Sequence, residues 1–169
     1  MKRELAYLAL ITLAVCLTAS CGVETAEVSL PPESAASHEP DGDLALLYDC
    51  AALIGMDDAE SAGMLGGGEQ NYAAGGEILI GRIYSAELFG EEVAPSTSCG
   101  PDGLVDSVSI YLSGTDAAAY AERLCALLGE PTGQSGGVSE GGGSWTEWII
   151  GGARLRLHES LGLCSLEIS

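Results

Sequence analysis

After Lys2 the chain has no lysine, and its only arginines are Arg3, Arg82, Arg123, Arg154 and Arg156. These six cations face 25 acidic side chains, for a formal net charge of −19. Proteins hold phosphate backbones by letting Lys and Arg displace counterions, so a nucleic-acid partner is excluded. Anionic headgroups would repel the chain for the same reason. Histidine is almost missing: His38 and His158 are the only two. The glycine-rich segments lack the G-K-[ST] ending of a phosphate loop, and no dinucleotide fingerprint follows a strand. The cysteines are too scattered for zinc. Asp41, Asp43, Asp57, Asp58 and Glu60 offer hard oxygens, but without the alternating spacing of a calcium loop. "GQSGG" (133–137) fits G-x-S-x-G, yet a nucleophile elbow needs a strand before the serine and a helix after it. Here the order is reversed, and His158 is the one base outside the N-terminal region. These absences point to a chain with no cofactor, no dedicated metal and no catalysis. Its acidity reads as a solvated surface that favours solubility, or as attraction to a basic partner or a cation.

What is present begins at the N-terminus. Lys2 and Arg3 precede an apolar run from Leu5 to Leu17, and Thr18, Ala19 and Ser20 follow. That is the three-part layout of a secretory signal peptide. The run is shorter than the roughly 20 apolar residues that span a bilayer. Thr18-Ala19-Ser20-Cys21 resembles the lipobox of bacterial lipoproteins, with Thr18 where that family usually has leucine and Leu17 one place back. The resemblance implies a diacylglyceryl group on the Cys21 sulfur and loss of residues 1–20. The protein would then sit on the cell membrane or outer membrane, facing the extracytoplasmic side. Two acyl chains hold a protein there where a single one would be marginal, at about 0.8 kcal/mol per buried methylene. Cysteine counting agrees. With Cys16 removed and Cys21 acylated, Cys50, Cys99, Cys125 and Cys164 remain, an even set suited to disulfides.

Residues 21–42 combine the anchor with a stretch rich in proline, serine and acids, which reads as a disordered tether. Residues 43–169 suffice for one domain. Asp43 is the expected cap of a helix carrying Leu44, Leu47, Ala51 and Ile54, and a shorter helix follows from Asp57 to Leu65. Gly75-Gly76 separates two strand-like runs, and "LVDSVSIYL" supplies another strand in which Asp106 interrupts the apolar face of Leu104, Val108, Ile110 and Leu112. The second half repeats the plan. A helix capped by Thr115 or Asp116 stops at Gly129-Glu130-Pro131, Gly151-Gly152 separates two strands, and "CSLEI" (164–168) echoes "DSVSI" (106–110). Two α-β-β-β repeats predict an α+β fold, an antiparallel sheet with helices packed on one face.

"IGMDDAESAGMLGGGEQN" (54–71) resembles the helix of BamE-like and β-lactamase-inhibitor-like envelope lipoproteins, through Gly55, Met56, Glu60, Leu65 and Gly66. The resemblance implies a binder of other proteins rather than an enzyme. Strand parity puts Cys164 on the side of Leu166 and Ile168, toward the helices, so it is expected to pair with Cys50 or Cys125 and to leave Cys99 the other. A two-residue turn at Gly151-Gly152 sets Ile150 opposite Ala153, Trp148 opposite Leu155 and Glu147 opposite Arg156. Trp148 then belongs to the core, whereas Trp145, Ile149, Arg154, Arg156 and His158 share the outer face. They are the candidate interface for a protein partner, with a ring lying flat over its cross-strand neighbours the favoured alternative for Trp145. A small ligand or a cation is the alternative occupant.

Overall fold

Period-two alternation builds the centre of the molecule. Val108, Ile110 and Leu112 alternate with Ser107, Ser109 and Tyr111, and Cys164, Leu166 and Ile168 alternate with Ser165 and Glu167. In the computed structural model, which describes residues 40–73, 75–135 and 143–169, both segments are strands with their apolar members buried. Cys21 and the rest of the anchor and tether before Pro40 lie outside the described residues, as do Gly136 and Gly137 of "GQSGG". The chain order is α1 (Pro40–Ala52), α2 (Asp58–Met64), β1 (Glu69–Tyr72), β2 (Leu79–Ile83), β3 (Ala86–Leu88) and β4 (Glu91–Val93). There follow β5 (Ser96–Cys99), β6 (Val105–Leu112), α3 (Ala117–Leu128), β7 (Gly133–Ser135), β8 (Gly143–Ile150), β9 (Ala153–Ser160) and β10 (Leu163–Ile168). The fold is α+β. Eight antiparallel strands run in the order β1-β2-β5-β6-β10-β9-β8-β7, and β3 pairs with β4 in a separate hairpin. On the buried face α1 packs on β8, β3 and α3, α2 packs on β2, and α3 packs on β8 and β9.

Each half contributes four strands to the large sheet, and the innermost strands, β6 and β10, meet at the centre. The echo between residues 106–110 and 164–168 falls on this seam. Val108 pairs with Ile168 and Ile110 with Leu166, so a local two-fold axis passes through the Ser109–Glu167 pair. Each half thus gives the large sheet four strands, one more than its sequence suggests, and the first half adds α2 and the β3–β4 hairpin. The two Gly-Gly pairs are not equivalent: Gly75-Gly76 lies between β1 and β2, Gly151-Gly152 between β8 and β9. Nor is the first a two-residue turn, because the Ala73 N–H donates to Ile78 O across residues 74–77. Gly151 and Gly152, at φ 60° and 91°, do make the tight turn, and the register beyond it is Ile150–Ala153, Trp148–Leu155 and Glu147–Arg156.

Asp106 is explained by a bulge. Cys99 faces Val105 but Ser98 faces Ser107, which leaves Asp106 as the extra residue pointing to solvent. Val105 rather than Leu104 takes the inner position.

Local chemistry fixes two of the helices as expected. The Asp57 carboxylate accepts from the Glu60 N–H while Glu60 reaches back to the Asp57 N–H, a capping box for α2. Asp116 caps α3, and Gly129, at φ 83°, ends it. Asp43, by contrast, is not at the start of its helix. The helix already starts at Pro40, inside the stretch read as tether, and Asp43 lies on its buried face one turn before Leu47. Its carboxylate accepts the Phe89 N–H at 2.8 Å. Phe89 and Gly90, at φ 58° and 78°, turn the β3–β4 hairpin, a region read from the sequence only as loop. Arg123 covers the Phe89 ring and donates to the Phe89 carbonyl, which holds a bulky residue in a left-handed conformation.

The expected disulfides are not formed: Cys50, Cys99, Cys125 and Cys164 are all thiols. Ala51, next to Cys50, borders Gly151 at one end of the sheet, whereas Cys164 faces Glu159, eight residues along β9. That is about 26 Å, and a bridge needs Cα atoms within about 7 Å. Cys164 lies near Asp116 at the start of α3, and Cys125 is nine residues further along it, about 14 Å away. Cys99 stands opposite Val105 and Cys164 opposite Leu112, at the two ends of β6. Burial, reinforced by Asp49, pushes the Cys50 thiol up to about 12, and burial with nearby carboxylates raises Cys99 and Cys164. Few thiolates form at Cys50, Cys99 and Cys164, so these three resist oxidation, and the distances above leave Cys125 without Cys164 as a partner. Non-reducing peptide mapping should therefore find all four free, with Cys50 alkylated only after unfolding. Any disulfide-linked peptide among them contradicts this arrangement.

Candidate functional site

Among the described residues the helices leave the other face of the sheet open, and register lays it out in rows. One row crosses the sheet as Glu69, Ile83, Ser96, Ser109, Glu167, Arg156, Glu147 and Gly133. Beside it runs Tyr111, Ser165, His158, Trp145 and Ser135, and on the other side Arg154 faces Ile149. The structure thus brings Trp145, Ile149, Arg154, Arg156 and His158 onto one surface. Ile149 and Arg154 are exposed, and the other three are half-buried.

The contacts explain the difference. The Arg156 Nε donates to Glu147 at 2.7 Å, and its guanidinium lies 4.7 Å from the centre of the Trp145 ring. On its outer side the indole covers Gly133 of the edge strand, where a Cβ would stand 3.4 Å from the ring. Trp145 therefore lies over its cross-strand neighbours, held by Arg156, as a planar platform. His158 Nε2 sits 3.3 Å from a Glu167 oxygen without hydrogen-bond alignment. Arg154 has no such carboxylate contact among the described ion pairs and projects from the face.

Residues not singled out in the sequence complete the surface. Ser96, Ser98, Ser107, Ser109 and Ser165 form its low centre, and Tyr111 and Leu163 stand 71% and 64% exposed at one end. The alternation of "DSVSIYL" and "LCSLEIS" carries this signal, because each serine lies one residue from a core position.

The remaining polar clusters hold the fold together. Asp58 receives both Nε and Nη2 of Arg82, whose Nη1 donates to the carbonyls of Gly67 and Gly68. The Arg82 hydrogen bonds hold the Asp58 carboxyl below its ordinary range. With Asp43 on Phe89, and Asp57 and Glu60 capping α2, four of the five carboxylates considered for a cation are occupied. Glu91 is lowered mainly by the Ser113 hydroxyl, then by Tyr120. Ser135 and His158 share a row but are separated by Trp145, two strands or about 9.5 Å, too far for proton transfer. A cavity of about 340 Å³ opens on the helical side, between Ala117, Ala118 and Ala121 of α3 and Gln134, Ser144, Thr146 and Glu159 of the sheet.

Fold and surface together define an α+β protein with one helix-covered and one open sheet face. No protein-family model and no curated protein matches the chain. Among solved structures, the chain is similar to a DUF4309 family protein, YjgB, from Bacillus subtilis, with a TM-score of 0.43 and 14% identity. The match covers 75% of this chain and 96% of that one, and at this level it carries no functional argument.

Proposed function

We propose that the chain is a lipid-anchored, extracytoplasmic lipoprotein that catalyses nothing and binds another protein or a cell-envelope component through its open sheet face. The supporting observation is the platform of Trp145 and Arg156 beside Arg154, His158 and Ile149. Two of the four arginines present after residue 20 stand there, on an otherwise acidic molecule. Trp and Arg often dominate binding energy, because they bury much area while keeping directed hydrogen bonds. The lipobox and the envelope-lipoprotein resemblance support the same reading.

Anchoring and binding are separable. Cys21→Ala should move the protein from the membrane fraction to the soluble fraction or block its processing. Wild-type protein with an unmodified N-terminus elsewhere contradicts the anchor. Trp145→Ala with Arg156→Ala should leave the fold intact and abolish recovery of a partner crosslinked in native membranes. Unchanged recovery contradicts the interface and leaves these side chains a role in stability alone. The cavity beneath α3 supports the second reading, a small ligand or a cation, since its lining mixes Ala117, Leu157 and Trp145 with Gln134, Ser144 and Glu159.

A further inference from the structure

We propose that the end of the sheet bearing Leu161, Leu163 and Tyr111 rests on the zwitterionic lipid surface to which the chain is anchored. The proposal depends on acylation of Cys21. Leu161 and Gly162, at φ 53° and 75°, form the turn between β9 and β10. Such turns favour glycine, asparagine or aspartate, yet a leucine occupies this one and is 95% exposed. Burial within the domain does not account for it. Leu163 is two residues from Ser165, which pairs with Tyr111, so Leu163 and Tyr111 project from the same face and end. Trp145 lies further along the Tyr111 row. Leucine tips flanked by Tyr and Trp suit a bilayer interface, where aromatic rings settle at headgroup level.

The entry point of the chain supplies the second observation. α1 ends beside Gly151, at the far end of the sheet. Its first turn is tied through Asp43 to Phe89, whose ring neighbours Tyr120. The Tyr120 hydroxyl accepts the Gly114 N–H, two residues beyond Leu112, which faces Cys164. The chain therefore enters at the end where Leu161 and Leu163 project. The 18 residues from 22 to 39 can span at most about 60 Å. The end at which the described chain begins is thus the end from which the anchor would be reached. Glu159 and Asp116 lie around it, which favours zwitterionic over anionic headgroups.

The test uses mature acylated protein in phosphatidylcholine vesicles with brominated acyl chains. A tryptophan reporter is introduced by Leu163→Trp or, at the opposite end of the same face, by Ile149→Trp, and its quenching is the increase over the parent protein, which carries Trp145 and Trp148. Brominated lipid should quench the first at least twofold more than the second, and adding Leu161→Asp should remove the difference. Equal quenching, or indifference to Leu161→Asp, overturns the proposal. Thermal melts of each variant establish that it is folded. A protein occupant is the outcome in which Leu163→Trp is unquenched while Leu161→Asp lowers recovery of the crosslinked partner, and it too overturns lipid contact. Intact mass of the same sample separates the causes. Acylated but unquenched protein refutes only the lipid contact, whereas an unmodified Cys21 refutes the anchor and this proposal with it.

Discussion

Gly81→Ala should destabilise the protein by about 4 kcal/mol or more, placing it among the rare severe single substitutions. A Cβ on Gly81 would lie 1.8 Å from the Thr97 carbonyl oxygen and 2.7 Å from its carbon, and the backbone there has φ +153°. The obstacle is backbone of the neighbouring strand, which cannot rotate away. The same junction holds a side chain inside the ladder. The Thr97 hydroxyl, on a residue 3% exposed, accepts the Arg82 N–H at 2.8 Å and donates to the Arg82 carbonyl. Any shift of β2 that accommodates a methyl group also breaks these bonds. Gly66→Ala is the control: φ is +80° but nothing lies within 4 Å, so the cost is only conformational, about 1 kcal/mol. Urea denaturation of both variants gives the comparison, and similar midpoints would refute the close approach of β2 to β5.

The second large effect is at Trp148. It is 1% exposed, faces Leu155, and its indole N–H donates to the Gly129 carbonyl at 3.0 Å. One side chain thus fills the core and ties the end of α3 to the sheet. Trp148→Ala should cost about 3–5 kcal/mol through lost burial and the cavity left behind. Trp148→Phe keeps much of the ring but leaves the Gly129 carbonyl without this donor, for about 1–2 kcal/mol. A ranking with Phe as damaging as Ala would place the hydrogen bond, not packing, first. Calorimetric Tm values for the three proteins decide.

The elements legible in the sequence were those governed by local chemistry. The Asp116 cap, the Gly129 stop and the Gly151-Gly152 turn each act within a few residues, and the last sets which side chains share the outer face. Asp43 defeated the same reasoning, because an aspartate ahead of an apolar period looks like a cap. Its true partner, Phe89, is 46 residues away. The β3–β4 hairpin was hidden because Phe89-Gly90 carries no turn signature at its first position. The Asp106 bulge is a property of the pair of strands rather than of β6 alone. Cysteine parity failed most plainly, since an even count carries no information on distance. On the open face, the rows through Arg156 and His158 could be read from parity, but the Arg156 contact that lays Trp145 over Gly133 required three strands in register.

The axis through Ser109 and Glu167 bears on descent. Head-to-tail duplication of a unit with one helix and four strands yields this strand order, with like strands joined at the middle. An ancestor of half the length would have ended with its innermost strand unpaired, and a second copy would have been needed to bury it. Joining the copies makes that contact intramolecular and frees it from dilution. Each half could then diverge without losing the other. Only the first half has α2 and the β3–β4 hairpin, and only the second bears the tryptophans and the exposed leucine turn.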